Sequence, residues 1–417
     1  MLVFLFLAVY MAIADLCTVN ALKKAFPQWF VRHRRAILTV YWTVHLAILI
    51  LFIVSLPYTA SRPLRAFGFM FFLTVYFCKL FLILAQLFDG IQRLLFRSNA
   101  RGAQTISLST EPKPAPGPAV STRSQFITRT GFALASLPFL ALNAGMINGV
   151  YDYRVRRVRL SLPNLPAAFE GMQIAQISDI HAGSFYNKQA VNRGVDLLMS
   201  LKADVVFFTG DLVNDRAIEM KNYQDVFSRV KAPLGVFSIL GNHDYGDYAV
   251  WPNAAAKRKN LDDLKKVHGL MGYQLLCNEH RKIRIGSDEI AILGVENWGS
   301  MSRFPKYGRV EDALKGATDS PVKLLLSHDP THWRAKILPN FKEIDATFSG
   351  HTHGMQMGIR TPHFQWSPVQ YIYKEWAGLY KEGTQNLYVN VGYGFLGYPG
   401  RIGIYPEITL FTLTRQA

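Results

Sequence analysis

Apolar positions run along this chain in two different rhythms. Before Tyr151 they form unbroken stretches near residues 1–19, 36–57, 67–88 and 131–150. Each is close to the ~20 residues that an α-helix needs to cross a hydrocarbon core, which predicts an N-terminal bundle of about four transmembrane helices. Beyond residue 151 the apolar runs shorten and alternate with amphipathic segments. Strands are predicted over 172–177, 205–209, 235–240, 290–295, 322–327, 346–349, 387–391 and 408–413, with helices near 188–201, 219–230, 260–268 and 331–337. That is α/β patterning without an internal repeat. It divides the chain into a transmembrane region, 1–150, and a second domain, 151–417.

Charge sharpens the membrane reading. Residues 1–150 hold 14 of the 46 basic and three of the 29 acidic residues, so they supply +11 of the +17 net charge. Lys23, Lys24, Arg32, Arg34 and Arg35 follow the first apolar stretch, and Arg93, Arg97, Arg101, Lys113, Arg123 and Arg129 follow the third, against Arg62 and Arg65 after the second. Positive-inside bias puts the first and third loops in the cytoplasm and predicts an extracytoplasmic second domain. Arg154, Arg156, Arg157 and Arg159 are interleaved with Val155, Val158 and Leu160, so they read as the exposed side of a first strand instead of loop charge. Because the basic residues sit between hydrophobic runs, no nucleic-acid binding is expected, and no protein partner is identifiable. The first stretch lacks a basic start and further spans follow it, which argues against a cleaved signal peptide. Residues 102–124, rich in Pro, Ser, Thr and Gly, read as a flexible linker. Lys79, Asp15 and His45 are costly in lipid and are predicted to face the bundle interior or to snorkel to the interface. Cys17, Cys78 and Cys277 are too scattered for a disulfide framework or a Cys-rich zinc site.

The chemistry lies where the predicted strands of the second domain stop. The first ends in Asp179-Ile180-His181, the next in Thr209-Gly210-Asp211 with Asp215 shortly after, and a third in Gly241-Asn242-His243-Asp244. Two more end in Ser327-His328-Asp329 and in Gly350-His351-Thr352-His353-Gly354. At a strand end, positions i and i+2 share a face, and ligands of α/β sheets gather at the carboxyl ends of strands. Any one of these groups could be a helix cap or a solvated loop; five in succession predict a site. One metal can take Asp179, His181 and His353, a second Asn242, His328 and His351, with Asp211 as the bridging carboxylate. A set of imidazole, carboxylate and amide donors without thiolate suits Mn, Fe or Zn better than Ca or Mg. Two ions about 3.5–4 Å apart favour in-line displacement at phosphorus by a shared hydroxide. His243 is the expected catalytic side chain, donating to a phosphoryl oxygen or the leaving group, with Asp244 or Asp215 orienting it.

These blocks resemble DxH, GDxxxD, GNH(E/D), an isolated H and GHxH of the calcineurin-like metallophosphoesterase superfamily, over about residues 170–413. The chain is most similar to the bacterial membrane-associated branch, through Asn164-Leu165-Pro166, Val295-Glu296-Asn297-Trp298-Gly299, Asn390 to Gly394, Arg401 and Pro406-Glu407-Ile408. The resemblance implies a four-layer α/β/β/α sandwich, the two divalent ions on the ligands above, and an integral protein of a bacterial inner membrane. Asp244 stands where Glu is usual and Met355 where a second glycine is common. Fold does not settle substrate. The expectation is a membrane-anchored dimetal phosphohydrolase acting on a phosphodiester or pyrophosphate of a phospholipid or other envelope-derived molecule. The alternatives are a phosphomonoesterase on soluble or protein substrates and a non-catalytic metal-binding membrane sensor. Asn297, Trp298, Arg303, Tyr393 and Arg401 are candidate substrate contacts, since arginine suits phosphate and tryptophan a ring or acyl surface.

Overall fold

The apolar stretches before Tyr151 fold as helices: α1 (Leu2–Ala25), α2 (Pro27–Arg32), α3 (Arg34–Ser55), α4 (Arg62–Phe96) and α5 (Arg123–Ile147). This computed structural model describes residues 2–56, 62–96 and 122–415. The predicted linker up to residue 121, with Arg97, Arg101 and Lys113, lies outside the described residues. Among those described, Arg34–Ser55, Met70–Leu95 and Arg123–Tyr151 are long and apolar enough to cross a membrane. α1 is a single helix over the first predicted span. The polar residues of these helices meet each other. Asp15 of α1 pairs with Lys79 of α4 and accepts hydrogen bonds from Tyr41 Oη of α3 at 2.7 Å and Tyr76 Oη of α4 at 3.2 Å. His45 Nε2 lies 3.7 Å from the same carboxylate, and the Lys79 ammonium sits 4.1 Å from the Tyr76 ring centre. Asp15 and Lys79 are both buried, so each supplies the charge that makes the other tolerable in an apolar bundle.

The contact pattern separates Met1–Asn143 from Ala144–Ala417. The second unit contains β1 (Arg154–Ser161), β2 (Gln173–Ile177), β3 (Val205–Phe208), β4 (Val236–Ser238), β5 (Gln274–Leu275), β6 (Glu279–Ile285) and β7 (Asp288–Gly294). β8 (Lys323–Leu326), β9 (Ala346–Ser349), β10 (Ile359–Arg360), β11 (Gln365–Trp366), β12 (Gly378–Glu382), β13 (Gln385–Val389) and β14 (Glu407–Thr414) follow. They form two six-stranded sheets, ordered β1-β14-β2-β3-β4-β5 and β12-β13-β9-β8-β7-β6, and a β10-β11 hairpin. β2, β3 and β4 run parallel, as do β7, β8 and β9. Every residue of β3, β4, β8 and β9 is buried, as expected of parallel strands covered on both faces.

Three apolar cores account for the four layers. Ile174, Phe207 and Phe237 of the first sheet pack with Ile292, Leu324 and Phe348 of the second. The outer face of the first sheet is covered by α6 (Lys188–Ser200), α7 (Gln224–Phe227) and α8 (Ala254–Met271), through Val191, Val195, Phe227 and Leu264. α9 (Val310–Leu314) and the turn carrying Trp333 and Ile337 cover the second. α6 is capped by Asn187, whose side chain accepts from the Ala190 N–H, and its buried Ala190, Val191, Gly194, Val195 and Leu198 fall on one stripe. The predicted helix over 219–230 breaks into a 3₁₀ turn, Ala217–Asn222, and the single turn of α7. The Glu219 carboxylate folds back onto the N–H groups of Asn214, Asp215 and Arg216 and fixes that turn. β1 is an edge strand; Arg154, Arg157 and Arg159 are exposed, as expected of this segment, whereas Arg156 is half-buried and pairs with the buried Glu407 of β14.

Replacing either half of the intramembrane pair leaves one buried charge unanswered. Asp15→Asn or Lys79→Met is expected to cost about 3–5 kcal/mol, and the double variant to recover most of it. Reversible denaturation in micelles measures both; single variants as stable as the parent would refute the pairing as a stabilising contact.

Candidate metal centre

β2, β3 and β4 are neighbours in one sheet and β8 and β9 in the other. The chain leaves all five at their carboxyl ends. Directly beyond them Asp179, His181, Asp211, His351 and His353 adopt left-handed backbone angles, φ 49° to 73°, and are five of the nine non-glycine residues that do so among the described residues. That conformation costs an L residue about 1–2 kcal/mol. It persists because neighbouring bonds fix it: the Asp179 N–H donates to Gly210 O at 2.9 Å and the His181 N–H to Asp211 O at 3.1 Å. Two glycines of the sequence blocks are there for clearance. A Cβ on Gly241 would lie 2.2 Å from Asp211 Oδ1, and one on Gly350 1.9 Å from Ser178 Oγ.

Two donor groups result, Asp179 with His181 and His353, and Asp211 with His328 and His351, the ligand atoms of each lying within 4.8 Å of one another. His181 Nε2 and His353 Nε2 are 3.0 Å apart, and Asp179 Oδ1 is 3.4 Å from His353 Nε2. Asp211 Oδ2 stands between the groups, 3.1 Å from His328 Nε2 and 3.6 Å from His181 Nε2. His328 Nε2 and His351 Nδ1 are 3.3 Å apart. Asn242 donates from Nδ2 to Tyr248 Oη at 2.9 Å, while its buried Oδ1 has no hydrogen-bond partner. A buried amide oxygen without a donor is expensive, and a divalent cation is the partner that suits it here. The residues therefore fit a pair of metal ions.

Backbone carbonyls set the ring orientations. His328 Nδ1 is 2.7 Å from Thr209 O and His243 Nδ1 2.7 Å from Asn214 O. A carbonyl only accepts, so each Nδ1 carries hydrogen and each Nε2 is left for other work. Burial pushes His181 down to about 3 and His351 down to about 4, and holds His353 well below its ordinary value. Neutral imidazole is the ligand form. Burial works against the Asp211 charge, but His328 and His243 hold its carboxyl well below the usual range. Burial also works against a charged His328, yet Asp211 pushes it up to about 10. A proton and a cation therefore compete for the same nitrogen.

The remaining predicted residues separate. Asp244 does not reach His243: its carboxylate accepts from the N–H groups of Gly241, Asp211 and Leu212 at 2.8 to 3.0 Å and ties the third block to the second. Asp215 is half-buried, one residue beyond the carbonyl that holds His243. Arg401, expected near substrate, is buried. It donates to the carbonyls of Val391, Gly392 and Gly394 and packs 3.3 Å from His353 Nδ1, so it braces that ring from behind. The terminal loop turns carbonyls inward, and they take the guanidinium that a phosphate was expected to take. Trp298 stacks on His332 with ring centres 4.7 Å apart. Asn297 is buried and donates to Pro305 O. Tyr393 is buried with its hydroxyl on Val191 O. Of the five candidate substrate contacts, Arg303 lines the cavity of about 320 Å³ that opens onto His181, Asp211, Asn242, His243, His351 and His353. Sequence reasoning passed over Tyr373 and Asp329, whose Oη and Oδ2 lie 2.8 and 3.6 Å from His351 Nε2. Asp329 adjoins His328 and was legible; Tyr373 and Tyr248 arrive from loops whose spacing carries no signal.

Comparison with known proteins points to one family. The family description "Calcineurin-like phosphoesterase" matches residues 172–355, and "Probable Calcineurin-like phosphoesterase, transmembrane domain" matches residues 1–150. A zebrafish "Transmembrane protein with metallophosphoesterase domain" is 29% identical over 278 residues, which cover 64% of this chain and 59% of that protein. The uncharacterised metallophosphoesterase YkuE of Bacillus subtilis is 31% identical over 260 residues, covering 60% of this chain and 81% of its own length. An uncharacterised metallophosphoesterase of Helicobacter pylori is 27% identical over 287 residues, 68% of this chain and 70% of that one.

Elemental analysis of the purified chain is expected to find two equivalents of divalent transition metal. Asp211→Ala should lose both, because its carboxylate serves both groups, whereas Asn242→Ala should keep one. Equal retention in the two variants would contradict a shared Asp211.

Proposed function

Because the chain belongs to the calcineurin-like metallophosphoesterase family, we propose that it is a membrane-anchored dimetal phosphohydrolase that cuts a phosphodiester or pyrophosphate bond in a lipid-linked molecule. One observation supports this above the others: Asp211 lies between two donor groups on the wall of an open cavity that His243 also lines. In this reading Asp179, His181 and His353 hold one ion, Asn242, His328 and His351 the other, and Asp211 both. The donor set suits Mn, Fe or Zn. Bound there, the ions supply charge neutralisation and an activated water for in-line attack at phosphorus.

The chain's own residues do the rest. With the hydrogen on His243 Nδ1 committed to the Asn214 carbonyl, Nε2 is the ring nitrogen left to face the departing oxygen and assist its departure. Arg303 offers a guanidinium to the phosphoryl oxygens from the cavity rim. The ordered donors cost no reorganisation when charge develops. Residues 1–150 anchor the chain, and residues 151–417 carry the chemistry. The basic loops after the first and third spans orient residues 151–417 to the outer side of a bacterial inner membrane, and a bilayer-tethered hydrolase meets lipid-linked substrate at high local concentration.

Full-length protein supplied with Mn²⁺ should hydrolyse bis(p-nitrophenyl) phosphate faster than p-nitrophenyl phosphate. His243→Ala should lower kcat by about 10²–10⁴-fold with metal content unchanged. The reverse preference would favour a phosphomonoesterase, and metal-loaded protein inert to both would favour a sensor. A reporter fused after Ala417 reads the orientation.

A further inference from the structure

The cavity has an apolar side that the metal chemistry does not use. Directly after His353 and Gly354 the chain carries Met355, and the segment from there to Ile372 keeps large apolar groups in the open. Met355, Ile359, Phe364, Tyr371 and Ile372 are between 46% and 77% exposed. Met355 and Ile372 line the cavity itself. The others belong to the same segment of chain. Trp366 is the cross-strand partner of Ile359 in the β10-β11 hairpin, which places those two side chains on one face. Phe364 sits at the hairpin's turn, held by Thr361.

Met355 is held at φ 51°, a left-handed angle that costs about 1–2 kcal/mol for any residue with a Cβ. Glycine would remove that cost. The chain instead spends it on an exposed thioether at the cavity edge, a side chain that adapts to irregular apolar surfaces. Exposed apolar side chains at the mouth of a polar cavity mark a binding surface. Among the lining residues outside the metal cluster, Arg303 is the one carrying charge, so a ligand here is anionic at the metals and apolar beside them.

We propose that Met355 to Ile372 seats the hydrocarbon chain of the substrate, which is therefore an amphiphile with an alkyl or acyl chain attached next to the phosphorus that is attacked. This rests on the phosphodiesterase reading above and adds the part of the substrate that the metals do not touch. Hydrolysis is the same bond change with or without the chain: water's oxygen joins phosphorus and the leaving oxygen departs with a proton.

The test uses full-length protein in lipid nanodiscs with Mn²⁺ and two substrates differing only in the chain, p-nitrophenyl ethyl phosphate and p-nitrophenyl decyl phosphate. The kcat/KM ratio of decyl to ethyl is expected to reach tenfold or more, about 1.4 kcal/mol. It should fall at least threefold in Ile372→Ser and in Phe364→Ser, and because the ratio is internal to each preparation, partial misfolding does not disturb it. A parent ratio near one overturns the seat while leaving the hydrolase intact. A high ratio unchanged in both variants overturns it too, since the chain would then gain only by partitioning into the bilayer. Failure of the parent to cut either ester overturns the phosphodiesterase reading and the seat with it.

Discussion

A carboxylate placed beyond the reach of water must be answered by positive charge or by donors, and the second unit is arranged around that requirement at Asp211. Its Oδ1 takes the His243 N–H at 2.8 Å, and its Oδ2 faces two imidazoles that arrive from other strands. No local segment can supply those partners. They come together because parallel strands in both sheets end at one level, and the sheets hold that level because Phe207 and Phe348 pack against each other between them, ring centres 5.0 Å apart. The greasy middle of the sandwich and the charged cluster at its end are thus one construction. Loosening the first lets water reach the second and removes the low-dielectric setting on which its electrostatics depend.

The positions of the donors were legible in the sequence; their supports were not. Asp179-Ile180-His181 and His351-Thr352-His353 announce themselves through alternate spacing at a strand end, and Asp211, Asn242 and His328 follow because each closes a predicted strand. β2, β3, β4, β7, β8, β9 and β13 fell within a residue or two of their predicted ranges, since short apolar runs bounded by turn signals suit buried strands and are too short for helices. What escaped was anything decided by tertiary direction. Arg401 and a substrate-binding arginine look alike in one dimension; only the folded loop reveals that its own carbonyls claim the guanidinium. Glu219 likewise spoils a good helical pattern by capping three amides behind it, a competition that propensity does not weigh. β5, β10, β11 and β12 are too short or too exposed to leave a periodic trace.

The membrane-spanning helices obey the same rule as the metal centre with different chemistry. Asp15 is answered by an ammonium and two phenols drawn from α3 and α4, and the charge that would be prohibitive on an isolated helix becomes a specification of which helix faces which. In both units a costly buried group is kept because several distant residues converge on it, which makes the arrangement cooperative and intolerant of single changes.

The last strand has a bearing on how the molecule comes into being. β14 lies between β1 and β2, so the two strands of that sheet that leave the ribosome earliest have no bond to each other and wait for the final one to be translated. During that interval β2, which carries Asp179 and His181 at its end, has an open edge and an exposed apolar face. Nascent chains of this protein thus pass through a long stage in which the spans can already be inserted while the sandwich is still unclosed, and pairings of such large sequence separation form slowly.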